Sequence, residues 1–264
     1  MAKIIHPRAV ISPKAEIADG VKIGPYSIIG DNVKIDEGTE IGSGVLIEGW
    51  TKIGKGCKIL HGAVIGTPPQ DSKYKGEKSF VEIGDNNLIR EYVTIHRGTE
   101  KESITYIGNN NFLMAYCHIA HNCWIGNEVI IANGGTLAGY VKVENKAVIG
   151  GLTGIHQFVR IGTLAMVGGC TKVVKDIPPF TLANGNPALL WGLNVVGLKR
   201  AGIPLKTREK LKKAYKILFK SGLNTTQALE KIENEFENIP EVRYLCDFIR
   251  SSNRGICKER TRQK

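Results

Sequence analysis

No stretch of this 264-residue chain approaches the roughly 20 consecutive apolar residues that a membrane-spanning helix needs, so stable membrane insertion is not expected. The opening residues Met1-Ala2-Lys3-Ile4-Ile5-His6-Pro7 carry no apolar secretory core, which points to a cytoplasmic location. Aromatic residues are scarce at 7%, which argues against a core of stacked rings. Glycine is plentiful, at 31 residues, and suits a regular, tightly turned backbone. The six cysteines (Cys57, Cys117, Cys123, Cys170, Cys246 and Cys257) contain no C-x-x-C pair. Without an export signal, a disulfide framework is not expected. The first four read as buried free thiols at small-residue positions of the repeat described next. No nucleophile elbow is present, so a covalent acyl-enzyme has no support.

What the chain does have is a period of six. Stepping by six from Ile5 to Val173 visits 29 positions, of which 26 are Ile, Leu or Val. The exceptions, Asp71, Glu77 and Lys101, fall in segments 67–80 and 98–105, which read as inserted loops. Two residues before the aliphatic there is usually a small or β-branched residue, such as Ala15, Ser27 or Thr39, and after it often a glycine, as at Gly24, Gly30, Gly42 and Gly54. Period six is neither the 3.6 of a helix nor the 2 of a strand. It describes one short strand and one turn per hexad, with each inward aliphatic packed on its copy in the next coil and glycine letting the backbone bend. Three hexads closing a triangular coil give about ten coils stacked roughly 4.8 Å apart. The expected fold is an all-β solenoid over residues 1–186, followed by a small α-helical domain over 187–264.

The repeat stops after Pro178-Pro179, and helical periodicity follows over 207–251. Leu211, Tyr215, Leu218 and Phe219 mark one helix that ends near Ser221-Gly222. Thr225 or Thr226 can cap a second helix, and Pro240 precedes a third. The polar tail 252–264 reads as loose. The formal charge of +11 is uneven: residues 1–180 carry 19 Lys and Arg against 17 Asp and Glu, residues 181–264 carry 17 against 8. A basic C-terminal third steers an acidic partner. Nucleic acid is not expected, because no recognition motif or basic-aromatic interleaving accompanies the charge.

The uninterrupted hexads 107–173 allow the coil geometry to be used. Residues 18 apart stack, so His121, Gly139 and Gln157 form one column, Ala120, Ala138 and His156 the next, and Asn122, Tyr140 and Phe158 a third. His118 shares the same edge. Three of six histidines converge beside a glycine that exposes backbone. Histidine suits general-base work at neutral pH, and a backbone N–H can stabilise an oxyanion. The competing reading is a zinc site of three histidines, as in hexapeptide-repeat carbonic anhydrases. Asp71 and Lys73 project from the first inserted loop, and Arg200 offers a guanidinium for phosphate.

The hexads resemble the left-handed parallel β-helix of hexapeptide acyltransferases, which is where the handedness comes from. Five segments are more specific: Val93-Thr94-Ile95-His96-Arg97-Gly98-Thr99, His118-Ile119-Ala120-His121-Asn122-Cys123, Ile155-His156-Gln157-Phe158, Met166-Val167-Gly168-Gly169-Cys170 and Gly197-Leu198-Lys199-Arg200. In this order they are similar to the UDP-N-acetylglucosamine O-acyltransferase family, which opens lipid A biosynthesis. The resemblance covers nearly the whole chain. It implies transfer of a 3-hydroxyacyl group from acyl carrier protein to the sugar 3-position of UDP-N-acetylglucosamine by a homotrimer with clefts between subunits, and no cofactor or metal. It implies His121 as general base and Gly139 as oxyanion donor. It also implies Asp71, Lys73, His118, His156, Gln157, Asn194 and Arg200 as substrate-binding residues, and Gly169 in the acyl-chain pocket.

The chain departs from the family's pattern at Tyr140, where members often carry His, and at Pro187, Val196 and Ala201, where some members carry His, an acid and a second Arg. These positions leave open the 3-amino sugar analogue as acceptor. The related N-acyltransferases of the pathway carry a domain before their hexads, whereas here the hexads begin at Ile5.

Overall fold

The computed structural model describes residues 2–236 and 238–260. Through residue 184 the chain runs in strands of two to four residues joined by turns, a parallel β-helix as the period requires. Among the described residues the strands form three sheets of 11, 9 and 8 members, and consecutive strands of the chain always fall in different sheets until the last pair. The register puts aliphatic on aliphatic: Ile23 pairs with Ile41 and Ile41 with Ile59, eighteen residues apart. Ile59 then pairs with Ile89, a spacing of 30, and Ile89 with Leu113, a spacing of 24. The insertions therefore add twelve and six residues, whole hexads, which is why the phase survives them. The inward aliphatics from Ile29 through Val173 are buried.

The glycine that directly follows the aliphatic does not serve the bend expected of it. The left-handed bend lies three residues after the aliphatic, at Tyr26 (φ 60°), Tyr92 (57°), Asn122 (59°), Tyr140 (61°) and Phe158 (64°). Such a conformation costs a non-glycine residue about 1–2 kcal/mol, and ladder bonds such as Tyr92 N–H to the His61 carbonyl (3.0 Å) hold it. The glycine directly after the aliphatic serves close approach instead: a Cβ at Gly24 would stand 2.7 Å from the Gly42 carbonyl oxygen. The small polar residue two before the aliphatic satisfies that same corner. Ser27 Oγ donates to the Gly42 carbonyl (2.7 Å) and Thr39 Oγ1 to the Gly54 carbonyl (2.8 Å).

Cys57, Cys117 and Cys123 are buried at that position, and burial pushes Cys117 up to about 11 and Cys123 up to about 12. Cys170 corrects the expectation: it occupies a left-handed corner (φ 54°) and is exposed.

The first sheet continues past the parallel coils, because Leu189–Leu193 pairs antiparallel with Thr181–Asn184. Among the described residues four helices follow: α1 (Val195–Arg200), α2 (Leu205–Lys220), α3 (Thr225–Glu235) and α4 (Pro240–Arg250). Helix α1 leaves no signal in the sequence, since six residues are too few to display a helical period. The cap of α3 is Asn224 rather than either threonine. Its side chain accepts from Gln227 N–H (2.9 Å) while Gln227 returns a bond to Asn224 N–H, a capping box. Pro240 starts α4 in the first turn instead of preceding it.

The tail is not loose over 252–260. Cys257 N–H donates to the Asp176 carbonyl (2.9 Å), and Leu190 N–H to the Lys258 carbonyl (2.8 Å). Glu259 pairs with Lys220 at 3.1 Å, and the Arg260 guanidinium lies over Trp191 at 4.1 Å. The end of the sheet leaves N–H and carbonyl groups open, and the tail fills them. Residues 261–264 of the expected loose tail lie outside the described residues. No helix among the described residues is long and apolar enough to cross a membrane.

Candidate active site

The corner at Asn122, Tyr140 and Phe158 carries the expected column. Tyr140 N–H donates to the His121 carbonyl (3.0 Å) and Phe158 N–H to the Gly139 carbonyl (3.1 Å), so the three coils are in register there. The Tyr140 ring stacks on Phe158 (4.8 Å, 21°), and His121 meets the Tyr140 ring edge-on (5.3 Å, 88°). Half-buried His121 lies over Gly139, where a Cβ would stand 2.6 Å from Nε2. Ladder bonds leave Ala138 and Tyr140 on either side of Gly139 (both 3.0 Å) and pass over its own N–H.

The tautomer of His121 follows from its neighbours. Thr99 backbone N–H, which can only donate, points at the Asn122 side chain at 3.1 Å, so the atom it meets is the amide oxygen. His121 Nδ1 lies 2.9 Å from that same oxygen and must carry the proton. Nε2 is then left with its lone pair, on the side of the ring that faces Gly139. The Asn122 amide nitrogen donates to Glu100 Oε2 at 3.0 Å, and the Tyr140 hydroxyl donates to Glu100 Oε1. The Thr99 hydroxyl lies 2.9 Å from the Asn122 oxygen and 3.1 Å from the Tyr140 oxygen. The Glu100 carboxyl is held below the usual glutamate value, first by the Tyr140 hydroxyl, with Thr99 and Asn122 adding to it against the cost of burial. Burial and Glu100 raise Tyr140 above an ordinary phenol.

His118 stands one step back. Its Nδ1 is 2.8 Å from Thr94 Oγ1, and its ring is tilted against His96 at 5.3 Å. Burial, then the neighbouring His96 and His121, push His118 down to about 4, so it is neutral at physiological pH. His96 is buried, with Nδ1 2.7 Å from the Pro68 carbonyl, and burial lowers it too.

The other expected residues are dispersed. Asp71 accepts from Lys73 N–H (2.9 Å) on the first inserted loop, near enough to Tyr140 to oppose its ionisation. Exposed His156 and Gln157 lie one coil beyond Gly139, with His156 Nδ1 3.3 Å from the Gln157 carbonyl. Gly169 is exposed, and a Cβ there would meet the Gly151 carbonyl at 3.2 Å. Asn194 caps α1 by accepting from Gly197 N–H (3.0 Å) and donates to the Leu164 carbonyl (2.9 Å). Leu164 stacks above Asn145 and Lys146, a different corner of the prism from that of His121. Arg200 is exposed at the end of the same short helix. Within one chain, therefore, the fold does not bring Asn194 and Arg200 to His121.

Sequence reasoning did not single out Thr99, Glu100 or Asn122 as functional. Asn122 follows His121 and sits at a corner, which its spacing reveals. Glu100 lies on an insertion, where the period carries no information. Among the described residues, no three His, Cys, Asp or Glu side chains converge to hold a metal ion. The corner is an open wall, and a cavity of about 790 Å³ lies away from it, beside Trp191 and Phe219 at the C-terminal end.

Comparison with known proteins adds independent findings. The family model described as bacterial transferase hexapeptide (six repeats) matches residues 14–49, 32–67 and 104–139, and that described as Udp N-acetylglucosamine O-acyltransferase, domain 2, matches 176–257. The acyl-[acyl-carrier-protein]--UDP-N-acetylglucosamine O-acyltransferase of Thermodesulfovibrio yellowstonii is 57% identical over 96% of this chain and 99% of that protein. Its counterpart in Thiobacillus denitrificans is 51% identical over the same shares. The UDP-N-acetylglucosamine acyltransferase structure of Francisella novicida superposes with a TM-score of 0.93 at 40% identity, covering 97% of this chain and 94% of that one. That of Campylobacter jejuni superposes at 0.90 and 39%, covering 97% and 100%.

Proposed function

The chain belongs to the UDP-N-acetylglucosamine O-acyltransferase family, and from that premise we propose that it moves a 3-hydroxyacyl group from acyl carrier protein to the 3-hydroxyl of UDP-N-acetylglucosamine, the first step of lipid A biosynthesis. The observation that carries the mechanism is the His121 tautomer: Nδ1–H is committed to Asn122 and Nε2 is free to accept a proton. Nε2 takes the proton of the sugar 3-hydroxyl as the oxygen attacks the thioester carbonyl. The C–O bond forms, and the negative charge moves to the carbonyl oxygen, which the Gly139 N–H stabilises. As the C–S bond breaks, the imidazolium returns its proton to the departing thiolate. His121 thus acts as base and then acid without a covalent intermediate.

Asp71, Lys73, His118, His156 and Gln157 bind the sugar nucleotide and acyl group around this point, and Gly169 leaves room for the acyl chain. Asn194 and Arg200 sit at another corner of the prism, so they reach His121 only from a neighbouring copy. That placement, with the open wall around His121, supports a homotrimer whose clefts lie between subunits. The basic C-terminal third suits an acidic carrier protein in the cytoplasm.

The test is acyl transfer from 3-hydroxyacyl carrier protein to UDP-N-acetylglucosamine by wild type and His121→Ala. Loss of a general base should lower turnover by about 10²–10⁴-fold. Undiminished turnover in the variant would remove His121 from the mechanism.

A further inference from the structure

We propose that Glu100, on the second inserted loop, is a positioning residue for the His121 base, acting through Asn122 and clamped by Tyr140. The inference rests on the general-base reading above and deepens it. A histidine base works best when its second nitrogen is held by an acceptor that fixes the tautomer and steadies the cation formed on protonation. In this chain the atom facing Nδ1 is a neutral amide oxygen, 2.9 Å away. An amide supplies direction but no charge. The charge stands one bond further out, where Glu100 Oε2 accepts from the Asn122 amide nitrogen at 3.0 Å.

This geometry makes a directed chain. Each bond runs one way, because the backbone N–H of Thr99 fixes the amide orientation and the carboxylate only accepts. The pull of Glu100 on the amide N–H polarises the amide and makes its oxygen a better acceptor for Nδ1–H. The second carboxylate oxygen is occupied by the Tyr140 hydroxyl, so Glu100 cannot swing away without breaking two bonds. Tyr140 itself is held by stacking on Phe158 (4.8 Å) and by the Thr99 hydroxyl (3.1 Å). The six-residue insertion thus delivers a carboxylate that the regular hexads lack at this corner.

Glu100→Ala should lower kcat about tenfold, the scale of losing one charge-assisted hydrogen bond, with KM for both substrates within about twofold. The titratable groups around His121 are His96, His118, Glu100 and the Tyr140 hydroxyl, with Asp71 near Tyr140, and Glu100 is the carboxylate among them that hydrogen-bonds the Asn122 amide. Removing a nearby negative charge disfavours imidazolium, so the acid limb of kcat/KM moves to lower pH. Glu100→Gln keeps an acceptor for the Asn122 nitrogen but not the charge, so it restores part of kcat while leaving the limb shifted. Adding Glu100→Ala to Asn122→Ala should cost nothing further, and nitrogen NMR of labelled His121 should change from Nδ1–H alone to a tautomer mixture in Glu100→Ala. Wild-type kcat, an unchanged tautomer, a loss confined to KM or additive losses would each overturn the proposal. His121→Ala, run alongside, separates the failures. An inactive His121→Ala with an unaffected Glu100→Ala removes only the positioning chain, whereas a fully active His121→Ala removes the base and Glu100 with it.

Discussion

The His121 imidazole rests directly on the Cα of Gly139, so close that a methyl group on residue 139 would stand 2.4 Å from Cε1. Only glycine allows the ring to lie where Asn122 can hold it. Gly139→Ala should therefore displace the ring while leaving the backbone N–H intact. A shift of about 1 Å in a base can lower turnover about 10²-fold, and steady-state kinetics with both substrates measures it. Unaltered kcat would mean that the ring tolerates movement and its contact with Gly139 is incidental.

Stability should respond to acid through His118. Its folded value is about 4, pushed down first by burial and then by His96 and His121. The unfolded value is ~6.5. Between these limits the unfolded chain takes up a proton that the folded chain refuses, so this contribution is complete above about pH 6.5 and is lost as the pH falls toward 4. Urea unfolding across that range should show a shallower decline for His118→Gln than for wild type. Equal slopes would assign the acid sensitivity elsewhere.

The two kinds of glycine in the coils should respond differently to substitution. A Cβ at Gly24 meets the backbone of Gly42 at 2.7 Å, and Gly24→Ala should cost about 1–3 kcal/mol by overpacking. Gly38 has φ +69° and nothing within 4 Å, so Gly38→Asn should cost no more than about 1 kcal/mol, since asparagine tolerates the left-handed region. Denaturant midpoints compare them, and the reverse order would contradict the close-approach account.

The capping box at α3 gives a prediction for the helical domain. Asn224→Ala removes the acceptor of Gln227 N–H and should lower stability by about 1 kcal/mol, read as a drop in Tm. Thr225→Ala should do much less, and an equal effect would place the cap at the threonine after all.

The architecture was legible in the sequence because each hexad solves the same packing problem with the same residue types. Ile41 on Ile59 and Leu113 on Ile131 are copies of one contact. Even the insertions preserved the signal, being whole hexads. Glycine after the aliphatic was visible, but its reason was not. Whether it serves φ or close approach depends on how near the next coil lies, and one strand's residues do not record that distance. The tail 252–260 reads as loose because it has no periodicity, whereas its order comes from the edge it meets at Leu190.

The site divides along the same line. Spacing placed His121 over Gly139 and Asn122 under Tyr140, since eighteen residues is a fixed step along the prism. It could not place Glu100 against Asn122, 22 residues away across an insertion, nor distinguish which imidazole nitrogen carries the proton. What the amino-acid sequence alone determined is the solenoid, the histidine-rich corner and the helical ending, all consequences of local, repeated interactions. What only the tertiary structure decided is the His121 tautomer, the depressed basicity of His118 and the separation of Asn194 from His121. Those depend on hydrogen-bond direction, burial and the corner each segment reaches, quantities that exist only once distant parts of the chain have met.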